Sequence, residues 1–464
     1  MHRLKIRLAL LSVSALFAAS ALAQTPPEPG SSPGVVLTNI SKNAGKFVSA
    51  IPTVAVSPSN DELVSVAWRR YSLPIDTNAL KSVRTADCHV TVSHDGGKSF
   101  KDTNLMPLLR NAGGNGEPSM WYCNLPWTTI AADGTLYAGG STFTAGGIIQ
   151  TEPKQGRAQA AVSTDGGKSW SKGVWAVSLQ HVGPGVKGLQ GGMEPQDTPW
   201  DGSQGFADAA TGTMYVVSGG IVASTDKGKT YGNLYYAAAP GFTGNGRNLA
   251  ASHGLVGASA TVTAAPGCTK TPCLAFLLSK DNGATFAGTV VAQADGFSAT
   301  GRTHYPEIAA DPAHEGHFAI VTFTPDRRAV QVYFTEDSGA TWTIAKVKEV
   351  PKDVLPVFNA DQPGVGYTAD GRILVAWRGF RSAGAYNVFA AVMDGKTFGT
   401  TIKLNPLPSI YPTQVQLGNY SFGGGDFFTT IAGNRTNAYV AFPYAPNGIS
   451  EDTWLARVPL AMMK

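Results

Sequence analysis

The 464-residue chain is short of charge, cysteine and histidine: 15% of its residues are charged, four are Cys and eight are His. Few charges and few long helical patterns speak against a helical bundle or a coiled coil. After residue 23 no apolar run is long enough to cross a bilayer, so the mature chain is expected to stay out of the membrane. No P-loop, no His-Glu-x-x-His pair and no Ser, His, Asp order is visible, which leaves the hydrolase classes built on those motifs without support. The net charge of +4 gives no nucleic-acid or membrane-surface partner either, because three of the basic residues, Arg3, Lys5 and Arg7, belong to the leader.

That leader is residues 1–23: a basic opening, an apolar run over 8–22 and an Ala21-Leu22-Ala23 ending. It reads as a cleaved signal peptide and predicts a secreted or periplasmic protein. Gln24 follows the cleavage site, where a lipid anchor would need Cys. Residues 24–34 are rich in Pro and Ser and read as a disordered lead-in. Two cysteine pairs suit an oxidising compartment: Cys268 with Cys273 would staple one loop, and Cys88 with Cys123 would tie two neighbouring units. Their spacings are not those of a zinc knuckle.

What the chain has in abundance is turn residues, Gly 54 and Pro 29, and a short stretch used five times. Ser163-Thr-Asp165-Gly-Gly-Lys-Ser-Trp170 has copies beginning at Ser93, Ser224, Ser279 and Thr335. All follow one grammar: hydroxyl, any, Asp, any, Gly, any, hydroxyl, aromatic. Asp beside Gly makes a tight turn, since the carboxylate accepts from nearby backbone N–H groups and Gly takes a positive φ at little cost. Before each copy come apolar stretches of strand length, as in 51–56 and 63–68, or 305–309 and 318–323. After the fifth copy the grammar decays, with Met393-Asp-Gly-Lys-Thr-Phe398 as a shortened version, while strand patterns continue at 365–367, 373–377, 427–431 and 438–442. Residues 35–40 form one more strand, placed to close a ring by joining the last unit.

This grammar resembles the Asp-box, or BNR repeat, of the sialidase-like β-propellers, and the resemblance covers nearly the whole mature chain. It implies an all-β fold: a single propeller over 35–464, with seven blades by the strand count and six, as in sialidases, as the alternative. Asp95, Asp165, Asp226, Asp281 and Asp337 are then structural, since boxes in that family lie away from the active site. The long insertions 105–124 and 180–203 would be loops on one face, where binding sites usually sit.

The family's chemistry needs arginines for the sugar carboxylate, an acid/base Asp, and a Tyr nucleophile paired with Glu. Here Ala50-Ile51-Pro52 stands where the family's first-blade motif has Arg-Ile-Pro, so that arginine is replaced. Trp68-Arg69-Arg70 resembles the arginine-bearing end of the next strand, with Asp76 and Asp87 as candidate acids, and Arg328 precedes the fifth box at a triad-like spacing. Asp361 holds the place where the nucleophilic Tyr aligns, which suits an ordinary glycosidase better. Tyr411, Tyr420 and Tyr444 are the other candidate nucleophiles. Arg302, His304, Tyr305 and Glu307 form a dense polar cluster at the start of the fifth unit, and Arg378 is a further candidate for the substrate anion. Each also has a plain reading as an edge-strand charge or a hydrogen-bonded structural residue.

Three functions remain open: a sialidase-like glycoside hydrolase acting on an anionic glycan or glycoconjugate, a non-catalytic propeller binding glycan or protein, and a lyase using His304 and Tyr305. A monomer is expected. No cofactor or metal is expected: carboxylates and carbonyls could hold Ca2+, but no stretch has the spacing of a calcium loop.

Overall fold

A computed structural model describes residues 34–42, 47–72, 86–109, 122–143, 156–177, 204–244, 246, 248–299, 306–347, 363–382, 385–410, 416–417, 420–421, 430–446 and 451–464. They form seven antiparallel blades. The first comprises Phe47–Val56, Val64–Ser72, Ala86–Ser93 and Lys101–Asn104; the second Tyr122–Ile130, Leu136–Phe143, Gly156–Ser163 and Val174–Val177. The third has Gln204–Ala207, Met214–Val217 and Ile221–Ser224, with a bridge from Ile221 to Tyr235 in place of a fourth strand. Blade four runs Asn248–Ser252, Leu255–Val262, Cys273–Ser279 and Ala287–Ala292; blade five Glu307–Ala310, Phe318–Phe323, Val330–Thr335 and Thr343–Lys346. Blade six has Gly364–Tyr367, Ile373–Ser382 and Ala385–Asp394, edged by Ile402–Lys403 and two other short strands. Blade seven has Thr430–Gly433, Asn437–Tyr444 and Asp452–Pro459, and its fourth strand comes from the other end of the chain: Val36–Asn39 pairs with Trp454 to Arg457. The innermost strands neighbour one another in a closed ring. Among the described residues the helices are two single turns, Met106–Leu109 and Leu460–Met463.

Blades stack face to face, so their middle strands are covered on both sides and the apolar pattern is continuous. Every residue of Phe318–Phe323 and of Val330–Thr335 is buried. Each buried Val, Leu or Phe side chain contributes about 1.5–3 kcal/mol, which makes the blade interfaces the core. Between blades two and three, Trp127 packs with Tyr137, Ala160, Met214 and Val216. Gly139 and Gly205 flank this indole so closely that a Cβ on either would lie within 2.5 Å of it, so no larger residue fits there.

Antiparallel order gives the disc two unlike ends. Hairpins between first and second strands share one end, the turn end, with the boxes between third and fourth strands. Hairpins between second and third strands, and the connections from blade to blade, lie at the opposite, mouth end. The boxes explain why the turn end is so regular. In each, the leading hydroxyl donates to the Asp carboxylate at 2.7–2.8 Å and accepts the N–H of the Gly four residues on. The second hydroxyl residue gives both its N–H and its O–H to that carboxylate. These bonds favour the ionised form and hold all five carboxyls below the usual range, Asp226 and Asp337 at about 2. The residue just before the Gly is left-handed too, even where it is Lys227, Asn282 or Ser338 at φ 57–61°. The shortened box of blade six is a two-residue hairpin with Gly395 at φ 61°.

Candidate functional site

At the mouth end the strands carry buried polar groups where the turn end carries hydrogen-bonded turns. Arg69, 3% exposed, lies opposite Ala50 on one neighbouring strand and Cys88 on the other. Arg70, one residue on, pairs with Asp87 at 3.1 Å, both partly accessible. Ile51, beside Ala50, is left-handed at φ 55°, and Leu125 at the matching place in blade two has φ 43°. Each precedes a proline and sits where the pairing register slips by a bulge. A β-branched residue at positive φ stores roughly 1–3 kcal/mol of strain.

In blade six Arg378 is 2% exposed, its guanidinium carbon 5.0 Å from the ring centre of Tyr386. The Tyr386 hydroxyl donates to the Pro443 carbonyl of blade seven at 2.8 Å, which fixes the ring that Arg378 lies against. Arg378 also acts on Glu451, a fully buried residue where blade seven turns back into Asp452–Pro459. Burial pushes the Glu451 carboxyl well above its ordinary value, the Arg378 charge opposes that rise and Asp452 adds to it. Among the described residues neither carboxyl oxygen of Glu451 has a hydrogen-bond partner, while its carbonyl accepts the N–H of Ser49 in blade one at 2.9 Å. Blades six, seven and one therefore meet around a buried acid and a buried base.

Glu307 opens the innermost strand of blade five, as Asn248 and Gln204 open those of blades four and three. The amide of Asn248 donates to the Pro306 carbonyl at 3.0 Å, which ties this strand to blade four. Part of Glu307 stays accessible, yet protein surrounds it deeply enough that burial pushes its carboxyl up to about 8. At neutral pH the protonated form is therefore favoured.

Two more sequence candidates have described side chains. Arg328 is exposed on the hairpin between the second and third strands of blade five, where its N–H donates to Asp326. Tyr444 is fully buried and donates to the Leu407 carbonyl at 3.0 Å, a packing role. Asp76, Arg302, His304, Tyr305, Asp361 and Tyr411 lie outside the described residues, as does the side chain of Tyr420. Both cysteine pairs are bonded, Cys88 to Cys123 and Cys268 to Cys273, and both are at the mouth end.

Two polar groups escape a reading of the sequence. Glu451 is one, since nothing near it in the chain signals that three blades bury it. The other is His89, 3% exposed and stacked on Trp68 with ring centres 4.3 Å apart. Its Nδ1 bonds Asp102 at 2.9 Å, and its Nε2 has no hydrogen-bond partner among the described residues. Its position, four before the box, was a usable signal: Gln159 and Gln331 occupy the same place and bond Thr142 and Thr322. His89 therefore fills a recurring polar slot of the blades. At the turn end, Asp311, His314 and His317 bring one carboxylate and two imidazoles together.

Five equivalent boxes on seven blades decide the architecture. The chain is an Asp-box β-propeller. The BNR/Asp-box repeat profile matches residues 161–172 of this propeller. No curated protein matches the sequence. Among solved structures the propeller is similar to a protein of unknown function from Dyadobacter fermentans DSM 18053, with 14% identity and a TM-score of 0.46 over 92% of this chain and 99% of that one. It is also similar to the Hadza microbial sialidase Hz136, with 13% identity and a TM-score of 0.48 over 92% and 68%. For the Trypanosoma rangeli sialidase in complex with 2,3-difluoro-KDN the values are 12% and 0.46, over 93% of this chain and 60% of the other.

Proposed function

We propose that this propeller is an exported glycoside hydrolase of sialidase-like type, acting at its mouth end on a glycan with an anionic sugar. The observation that carries the reading is Glu307, a carboxyl held up to about 8 at the opening of an inner strand. Cleaving a glycoside needs a group that is still protonated at working pH and can give its proton to the leaving oxygen. Glu307 has that property from burial alone. Arg70 is accessible enough to meet the sugar anion, and Arg69 and Arg378 are buried arginines at the same end of the ring.

The test is turnover of a panel of 4-methylumbelliferyl glycosides, the sialoside included, by the mature chain and by Glu307→Gln. Turnover of an anionic glycoside, lowered about 10²–10⁴-fold in kcat by the substitution, is the expected result. Activity should also fall on the alkaline side with an apparent pKa near 8. A second reading, a non-catalytic glycan-binding propeller, is favoured by Ala50, which stands where the resembling family has an arginine. Retained glycan binding with no turnover of any glycoside would select it.

A further inference from the structure

At the turn end of blade five the hairpin Asp311-Pro-Ala-His314-Glu-Gly-His317 joins Glu307–Ala310 to Phe318–Phe323. The fully buried Asp311 puts its Oδ2 2.8 Å from His314 Nδ1 and 3.6 Å from His317 Nδ1. One donor atom from each of the three lies within 4.8 Å of the other two. From this cluster we infer a binding site for a divalent transition-metal ion of the zinc class.

The equivalent turn of blade three shows what the cluster is for. Asp208 is also fully buried, and its carboxylate is saturated by backbone: Ala210, Thr211 and His253 donate to Oδ1, and Gly254 of the next blade donates to Oδ2 at 2.6 Å. In blade five only Oδ1 is used that way, accepting the Ala313 N–H at 2.8 Å. The next blade again sends a glycine, Gly371, but its N–H donates to the Thr368 carbonyl. Oδ2 is thereby left to the two imidazoles.

Gly371 also leaves space. A Cβ there would stand 2.7 Å from both Asp311 Oδ2 and His314 Nδ1, so the donors face a wall of bare backbone at φ 87°. The donor frame is held in place. The Asp311 N–H donates to the His317 carbonyl, and Ser252 of blade four donates to the Asp311 carbonyl at 2.6 Å. Two imidazoles and one carboxylate suit zinc or its neighbours better than calcium or magnesium, which prefer all-oxygen sets. Donors at about 2.0–2.2 Å from a tetrahedral ion stand about 3.4 Å apart, close to the Asp311 to His317 spacing. The His314 contact must open by about half an ångström to that same spacing, and a side chain 54% exposed is free to swing so far. Water or an external ligand completes the coordination.

The experiment is Co²⁺ titration of the tag-free mature chain, stripped with chelator, followed by its visible d–d bands and by zinc displacement of those bands. His314→Gln/His317→Gln is the test variant and His94→Gln, on the first box, the control; circular dichroism confirms that each is folded. One Co²⁺ per chain with visible bands in the wild type and control, and affinity about 100-fold weaker in the double variant, is expected. Absence of bands in the wild type, or equal affinity in the double variant, overturns the site.

Discussion

The two ends of the propeller solve the same problem differently. At the turn end every box carboxylate is saturated by hydroxyl and backbone donors, and the charge is stabilised where it stands. At the mouth end Glu451 has no such partner among the described residues, and burial pushes both Glu451 and Glu307 toward the neutral acid. Held by hydrogen bonds, the turn end needs no covalent ties, whereas both disulfides sit at the mouth end. The box carboxylates are thus fixed as ions at one end, while burial holds two carboxyls toward the neutral acid at the other.

Removing the covalent ties tests the mouth end most severely. Cys88→Ala/Cys123→Ala opens a link across 35 residues and should cost about 4 kcal/mol of stability, while Cys268→Ala/Cys273→Ala, across 5, should cost about 2. Urea unfolding measures both, and equal losses would mean that chain entropy is not what these bridges supply. At the turn end Asp208→Ala strands four buried N–H donors and should cost roughly 3 kcal/mol in the same assay. A loss under about 0.5 kcal/mol, the usual scale of surface changes, would show that water replaces the carboxylate.

The smallest expected effect has the opposite sign. Glu451 binds its proton more tightly folded than unfolded, so its contribution is fully favourable below the ordinary Glu range and is lost as pH rises above it. Glu451→Gln should therefore melt higher than wild type at pH 8 and no higher at pH 4. A variant equally destabilised at both pH values would mean that the carboxylate is ionised and paired with Arg378. The box carboxylates run the other way: with depressed values they contribute above about pH 4, and that contribution is lost on acidification.

Legibility in the sequence follows the same division. The boxes could be read because each is a closed local system: Ser163, Asp165, Gly167 and Ser169 satisfy one another within seven residues. Seven blades could be counted because a strand covered on both faces, such as Phe318–Phe323, is apolar at nearly every position. The mouth could not be read in this way. Glu451 is buried by Ser49 and Arg378, some 400 and 70 residues away in the chain, and no local pattern carries that. Arg69 and Arg378 were legible as arginines but not as buried ones. The sequence shows the spacing of Asp311, His314 and His317, whereas the space left by Gly371 appears only when blade six is packed beside blade five.

The pairing of Val36–Asn39 with the last strand of blade seven makes that blade unlike the other six. Blades one to six draw their strands from consecutive residues, whereas the seventh joins residues 36–39 to residues 452–459. The ring is fastened like a buckle, its tongue and its frame taken from distant parts of the chain. With residues 36–39 unseated, Asp452–Pro459 would become an open strand edge, the kind of edge to which another strand can add.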